Sequence, residues 1–236
     1  MIESRPRLRF LALAAASAAA VAAHPGAGAA QSVVLDEGTF TVFLADREAG
    51  TESFAIRREG AGADATLVAD AVVSLGGAHA SEMRSALRTR GDRSLLVYQN
   101  EIEGADVTFV SLDASGRHLV ARIRSTAGER ERELRSREGM VLLDRWVAHQ
   151  YWFLAARTDR EGMVIPVVDP HTGREIRMEV ASVAAETVEV GAQRVQARHV
   201  RLVSGSDSRD VWFDGQGRVL RVEVPAQEYR AVRQAL

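Results

Sequence analysis

Apolar and polar residues alternate with a period of two along much of the chain. The alternation is clearest in three segments: Phe40, Val42 and Leu44; Ile176, Met178 and Val180; and Leu220, Val222 and Val224. Successive side chains of a strand point to opposite faces, so this pattern predicts strands with one buried and one solvated face. Such strands are typical of an antiparallel sheet.

Turn residues separate these segments at short intervals. They lie at Glu48 to Gly50, Gly76-Gly77, Gly91-Asp92, Asp113 to Gly116, Asp169 to Gly173 and Asp214 to Gly217. Short spacing favours hairpins over crossover helices. Roughly ten or more strands in one open sheet would curl. The sequence therefore predicts a mainly β fold, a single large curved antiparallel sheet forming a half-barrel or open barrel, with residues 31–236 as one domain.

The segment after Leu143 departs from this alternation. Asp144 can cap a helix over residues 145–157, which would contain two of the three tryptophans. At helical spacing its apolar side chains surround nearly the whole circumference, so the helix must be covered. We expect one central aromatic-rich helix, a plug or lid on the concave face of the sheet. A strand over residues 146–153 is the alternative, and residues 228–236 are expected to form a short helix or to fray.

Residues 1–30 have the three parts of a signal peptide. Arg5, Arg7 and Arg9 precede an apolar run from Phe10 to Ala23, and small residues follow as far as Ala30. The run is shorter than the about 20 residues that a membrane-spanning helix needs. We therefore predict cleavage near Ala30 and a periplasmic protein with no transmembrane segment in the mature chain. An uncleaved membrane anchor is the alternative.

Composition excludes several classes of protein. The chain has no cysteine, so disulfides and thiolate metal sites are excluded. Its formal net charge is -2, without the cationic excess of a nucleic-acid-binding protein, so nucleic acid is not predicted as a partner. The sequence contains neither a H-E-x-x-H zinc motif nor a glycine-rich phosphate loop. We predict no metal and no cofactor.

The aromatic residues of the central segment are the candidate ligand-binding site. Trp146, His149, Tyr151, Trp152 and Phe153 would present an apolar surface with one polar group. They favour a non-enzymatic binding or scaffolding protein that holds a lipid, an acyl chain or a lipidated partner in the concave face of the sheet. No catalytic residue is assigned.

Two other functions fit the same residues. A hydrolase could use Asp144 and His149 as an acid–base pair. A cell-envelope interaction module would instead have a filled core, in which His149 bonds a backbone carbonyl. His171, in the turn from Asp169 to Gly173, is interpreted as an ordinary turn residue.

Charged residues dominate the run from Arg117 to Glu138. Within it, Glu129, Glu131 and Glu133 alternate with Arg130 and Arg132, which would place the two charges on opposite sides of a strand. This pattern predicts a charged sheet edge with cross-strand pairs. An arginine-lined rim that meets anionic headgroups is the alternative.

Several segments together resemble a known family. They are Gly38 to Val42 with Gly50 to Phe54, Leu143-Asp144 with His149 to Trp152, Pro166 to Pro170, and Val211 to Asp214 with Gly217 to Val222. They resemble an uncharacterised family of exported bacterial proteins, a domain of unknown function. That family is similar in turn to the periplasmic lipoprotein carriers. The resemblance implies an unclosed antiparallel half-barrel with helices over an apolar concave face, and it implies no assigned activity.

Overall fold

The computed structural model describes residues 32–236, and the predicted signal peptide lies outside them. These residues form one sheet of 15 strands. The strands are β1 (Ser32–Leu44), β2 (Arg47–Glu59), β3 (Thr66–Leu75), β4 (Ser81–Arg90), β5 (Leu95–Glu103), β6 (Val107–Ser115), β7 (His118–Ser125), β8 (Gly128–Arg135), β9 (Val141–Leu142), β10 (Val164–Asp169), β11 (Arg174–Val190), β12 (Gln193–Ser204), β13 (Asp207–Phe213), β14 (Val219–Val224) and β15 (Tyr229–Arg233). The prediction of a mainly β protein built on one large sheet is confirmed.

Short 3₁₀ helices connect some of the strands. They span Gly62–Asp64, Gly77–His79, His149–Arg157 and Pro225–Gln227. The one spanning His149–Arg157 is here called the central helix. None of the helices within residues 32–236 is long and apolar enough to span a bilayer.

The sheet is a meander that folds back on itself. Each strand pairs with its neighbours in sequence, except that β8 and β9 do not pair with each other, and β1 pairs with both β2 and β15. The ends of the described chain therefore lie side by side in the interior of the sheet, while β8 and β9 form its two edges. The expected helix or frayed end at residues 228–236 was wrong. Tyr229, Ala231 and Arg233 alternate inward, and β15 is held on both sides by β1 and β14.

The sheet is strongly curved, because its two ends come into contact. Arg130 of β8 donates to the backbone oxygen of His171, which follows β10, over 3.1 Å. Arg137, after β8, pairs with Glu175 of β11 at 2.6 Å. The two edge strands do not pair with each other, so the barrel stays open.

One pairing departs from the predicted antiparallel arrangement. Val141 and Leu142 of β9 run parallel to Val167 and Val168 of β10. Strands that are consecutive and parallel need a long crossover connection between them. Residues 143–163, which include the central helix, are that connection.

The central helix begins later than predicted. It spans His149–Arg157 as a 3₁₀ helix, so the predicted helix is present but its predicted start at residue 145 was wrong, and the alternative strand does not form. Asp144 does not cap it, since its carboxylate bonds Tyr98 and Asn100 of β5 instead. Trp146, in the turn between, has a left-handed backbone with φ of 61°, which interrupts any continuous helix.

Charge protects one edge of the sheet. Every residue of β8 is exposed except Leu134, which is half-buried. Arg122 and Arg124 of β7 pair across to Glu131 and Glu129 of β8 at 2.9 and 3.7 Å. Strands of this composition resist pairing with other chains. The predicted charged edge with cross-strand pairs is thus confirmed.

Candidate functional site

A buried carboxylate lies where the crossover leaves β9. Asp144 is 3% exposed, and its Oδ2 accepts bonds from the Tyr98 hydroxyl at 2.5 Å and from the Asn100 amide at 2.9 Å. Its Oδ1 accepts the backbone N–H of Arg145 at 2.6 Å. Burial and then the Asp144 charge raise the pKa of Tyr98 well above its ordinary value, so the phenol remains a donor.

His171 lies beside this carboxylate. Its Nε2 is 2.7 Å from Asp144 Oδ1, close enough for an ion pair, although the ring N–H is not directed along that line. Burial disfavours both charges, but the attraction between the two groups outweighs it. The pKa of His171 is raised and that of Asp144 is lowered, Asp144 being helped by Tyr98 and Asn100.

A cavity of about 440 Å³ opens next to His171. Its apolar wall is formed by Met83, Ile102, Val107, Leu143 and Trp146. Arg145, Asp169, His171 and Arg209 supply most of the charge around it. This size, with an apolar wall and a few polar groups, is typical of a small-molecule binding site.

Trp146 is the most unusual residue of the cavity wall. A bulky residue with a left-handed backbone is strained, and its indole N–H is buried with no hydrogen-bond partner among the described residues. The Arg145 guanidinium lies 4.1 Å from the centre of its ring, and His79 meets it edge-on at 5.5 Å. A second depression, of about 530 Å³, lies on the side of Trp146 that faces His79. Strain of this kind is concentrated at functional sites.

A second buried carboxylate holds the start of the central helix. Glu52 of β2 has no exposed surface, and it accepts the backbone N–H groups of Ala148 and His149 at 2.6 and 2.8 Å. Its Oε1 also lies 2.7 Å from Nδ1 of the fully buried His149. Glu52 therefore supplies the cap that was expected from Asp144.

The structure separates the five residues predicted to bind a ligand. Trp146 lines the cavity described above. Trp152 lines another cleft, of about 480 Å³, where the Arg93 guanidinium lies 4.7 Å from its ring centre. His149, Tyr151 and Phe153 are buried in the core. The ligand-binding role of these residues stays a prediction.

Asp144 and His149, the pair suggested for a hydrolase, do not form a pair. His149 contacts Glu52, and Asp144 contacts His171. The sequence pattern did not indicate Glu52, Tyr98 and Asn100 as site residues. His171 lies in a turn as predicted, but its contact with Asp144 was not predicted. The available signal was periodicity, because Glu52 is in phase with Phe54 and Ile56, all three facing the core.

The Asp144–His171 pair predicts a pH-dependent stability. The lowered pKa of Asp144 stabilises the folded state above its ordinary value of 3.8, and this gain is lost as pH falls through the folded value. The raised pKa of His171 stabilises fully below 6.5, and this gain is lost as pH rises through the folded value. In urea denaturation, His171→Gln should lower stability most between the ordinary values of 3.8 and 6.5, and the difference should shrink as the pH rises through the raised pKa of His171.

The matched control is His118→Gln, because His118 pairs with Glu133 on the exposed face of β7 and β8. That variant should change stability by about 0–1 kcal/mol at every pH. A pH-independent effect of His171→Gln would contradict the ion pair.

Comparisons with known proteins give one family match and a similarity to solved structures. A solved structure, that of a beta-barrel-like protein of domain of unknown function DUF1849 from Brucella abortus, is similar, with a TM-score of 0.46 and 10% identity. The alignment covers 84% of this chain and 95% of that one. Among curated protein sequences, none matches this chain. The model of the DUF6134 family, a domain of unknown function, matches residues 106–236 and confirms the resemblance to an uncharacterised family. Because this match spans more than half of the chain, the protein belongs to the DUF6134 family.

Proposed function

We propose that this protein is an exported, non-enzymatic binding protein that holds an apolar group in the cavity beside Trp146. The observation that carries the proposal is the cavity itself, about 440 Å³ with five apolar side chains along its wall. Each methylene buried there would contribute about 0.8 kcal/mol. An acyl chain is the simplest occupant. Export to the periplasm follows from the predicted signal peptide and is proposed with it.

The state of Trp146 supports this site. A strained backbone and an unpartnered buried N–H both destabilise the protein, and neither is needed to complete the core. A bound ligand with an oxygen near the indole could accept its N–H, and apolar contact with the ring would offset part of the cost of the strained backbone. The residue is therefore better explained by binding than by folding.

The central helix acts in this proposal as a fixed plug rather than a moving lid. Tyr151, Phe153 and Leu154 are buried in the same core as the inner face of the sheet. Glu52 fixes the start of the helix, and Arg198 of β12 bonds the carbonyls of Ala155 and Thr158 at its end. The ligand would lie against the turn that precedes the helix.

Binding of a neutral apolar dye tests the proposal. Nile red should become fluorescent with the purified protein, and decanol should displace it. Hexanol and octanol should compete more weakly, by about fourfold for each methylene removed. This dependence on chain length is the signature of apolar burial.

Trp146→Gly is the sharpest variant, since glycine accepts the left-handed backbone while removing the ring. It should weaken dye and decanol binding about tenfold or more, and unfolding should show stability preserved within about 1 kcal/mol. Trp152→Ala, which removes an aromatic ring from the other cleft, is the matched control and should leave binding unchanged. Failure of the wild-type protein to bind any of these probes, or loss of binding only in Trp152→Ala, would overturn the proposal.

A further inference from the structure

We infer that the ligand of this cavity carries a carboxylate, which His171 and Arg145 bind at the polar end while the apolar chain lies against Trp146. This inference rests on the proposed function and names the chemical class of its ligand. The site is therefore suited to a free carboxylic acid rather than to a neutral acyl group.

The two edges of the His171 ring have different surroundings. Nε2 is buried against Asp144 at 2.7 Å, whereas the side chain as a whole is 25% exposed and lines the cavity. The nitrogen that remains for a ligand is Nδ1. Asp144 favours the doubly protonated ring, in which Nδ1 carries a hydrogen and can donate to an anion.

The negative charge of Asp144 does not oppose a second anion strongly. Its two oxygens already accept bonds from Tyr98, Asn100 and the Arg145 backbone, and the positive charge of the His171 ring lies beside them, with Nε2 at 2.7 Å. The carboxylate is fully buried on the far side of the imidazole ring from Nδ1. The ring therefore presents a charge-assisted donor to the cavity.

The other carboxylate next to His171 is occupied as well. Asp169 accepts the backbone N–H groups of His171 and Thr172 and the Thr172 hydroxyl, at 2.9, 3.4 and 3.0 Å. Asp106 also lines the cavity and is exposed to solvent, which screens its charge. Arg130 donates to the backbone oxygen of His171 and not to its ring.

Two arginines line the cavity, and they differ in availability. Arg209 is committed, since it bonds the Tyr151 hydroxyl at 3.1 Å and Asp207 at 3.2 Å. Arg145 is exposed, and among the described residues its guanidinium has no carboxylate partner, only the Trp146 ring. Arginine binds carboxylates in a two-point geometry that fits this position. One imidazolium and one guanidinium are enough donors for a carboxylate, whereas a phosphoryl group would need more.

Matched ligands of one chain length test the inference. Decanoate should displace Nile red about tenfold more effectively than decanol at about pH 6, because bonds to charged groups are stronger than neutral ones. The preference should shrink at alkaline pH, above the raised pKa of His171, where the ring loses its proton. Decyl phosphate, measured alongside, should bind no tighter than decanoate.

The variants separate the two donors from the apolar wall. Arg145→Gln and His171→Gln should each reduce the preference for decanoate severalfold and leave decanol binding unchanged. Arg177→Gln removes the same charge from an exposed position of β11 and should change neither. Arg145 is exposed, so that variant keeps the test valid even where His171→Gln unfolds.

The outcomes are distinguishable. Absence of binding by both decanol and decanoate would contradict the proposed function. Equal binding of the two, at both pH values and in all variants, would leave the apolar cavity intact as a site and overturn the carboxylate. Tighter binding of decyl phosphate than of decanoate would also overturn it.

Discussion

Glu52→Ala should destabilise the protein by about 3–5 kcal/mol, the range expected when one partner of a buried charged cluster is removed. The substitution would leave the N–H groups of Ala148 and His149 and the Nδ1 of His149 buried without an acceptor. Each unsatisfied donor costs about 1–3 kcal/mol. Urea denaturation followed by tryptophan fluorescence measures the effect. Trp146 and Trp152 on either side of this contact should report it first.

Two further variants at the same strand isolate the cause. Glu52→Gln keeps an oxygen that can accept one or two of the three bonds, so its loss should be clearly smaller. Glu48→Ala removes an exposed carboxylate from the same strand and should change stability by no more than about 0.5 kcal/mol. Equal losses in Glu52→Ala and Glu48→Ala would show that Glu52 does not anchor the central helix.

The alternation of residues predicted the sheet but not the polar contacts inside it. The period-two pattern within a strand shows which residues share a face, so Phe40 and Val42 of β1 could be assigned to the core from local sequence. The pairing of β1 with β15 joins residues nearly the whole chain apart, and no local pattern encodes it. The pattern of a single sequence therefore predicts strands and hairpins, but it does not predict that the first strand pairs with the last.

In the central segment, the cap of the helix could not be predicted from local sequence. An acidic residue before an apolar run is a common helix cap, yet Asp144 is engaged by Tyr98 and Asn100, more than forty residues earlier. The helix instead takes its cap from Glu52 of β2. Which carboxylate caps the helix depends on how the sheet curls, and this is a property of the folded chain. A polar residue in phase with apolar neighbours, as at Glu52, is the local signal worth following.

A buried ion pair at the junction of β1 and β15 leads to the second large expected effect. The side chains of Arg233 and Asp36 are buried, with only 1% and 2% of their surface exposed. Arg233 Nη2 lies 2.7 Å from Asp36 Oδ1. Arg233 also donates to the carbonyls of Glu37, Val219 and Ala235. The guanidinium thus ties the first strand to the last and to the end of the chain.

Arg233→Met should cost about 3–5 kcal/mol, because it leaves the Asp36 carboxylate buried without its counter-charge and three carbonyls without this donor. Asp36→Ala should cost somewhat less, since Arg233 keeps its carbonyl partners. The double variant removes both charges, so it should be more stable than the sum of the single losses predicts, by at least about 1.5 kcal/mol.

Asp70→Ala is the matched control, because it removes the acidic partner of Arg57 in a half-exposed cross-strand pair of β2 and β3, and it should cost no more than about 1 kcal/mol. Denaturation of the wild type and the three variants at Asp36 and Arg233 gives the coupling free energy directly. Additive losses, within about 0.5 kcal/mol, would mean that the two charges stabilise the β1–β15 junction independently. A strong coupling would instead show that the pair offsets part of the loop-closure entropy of joining β1 to β15, two strands that lie far apart in the sequence.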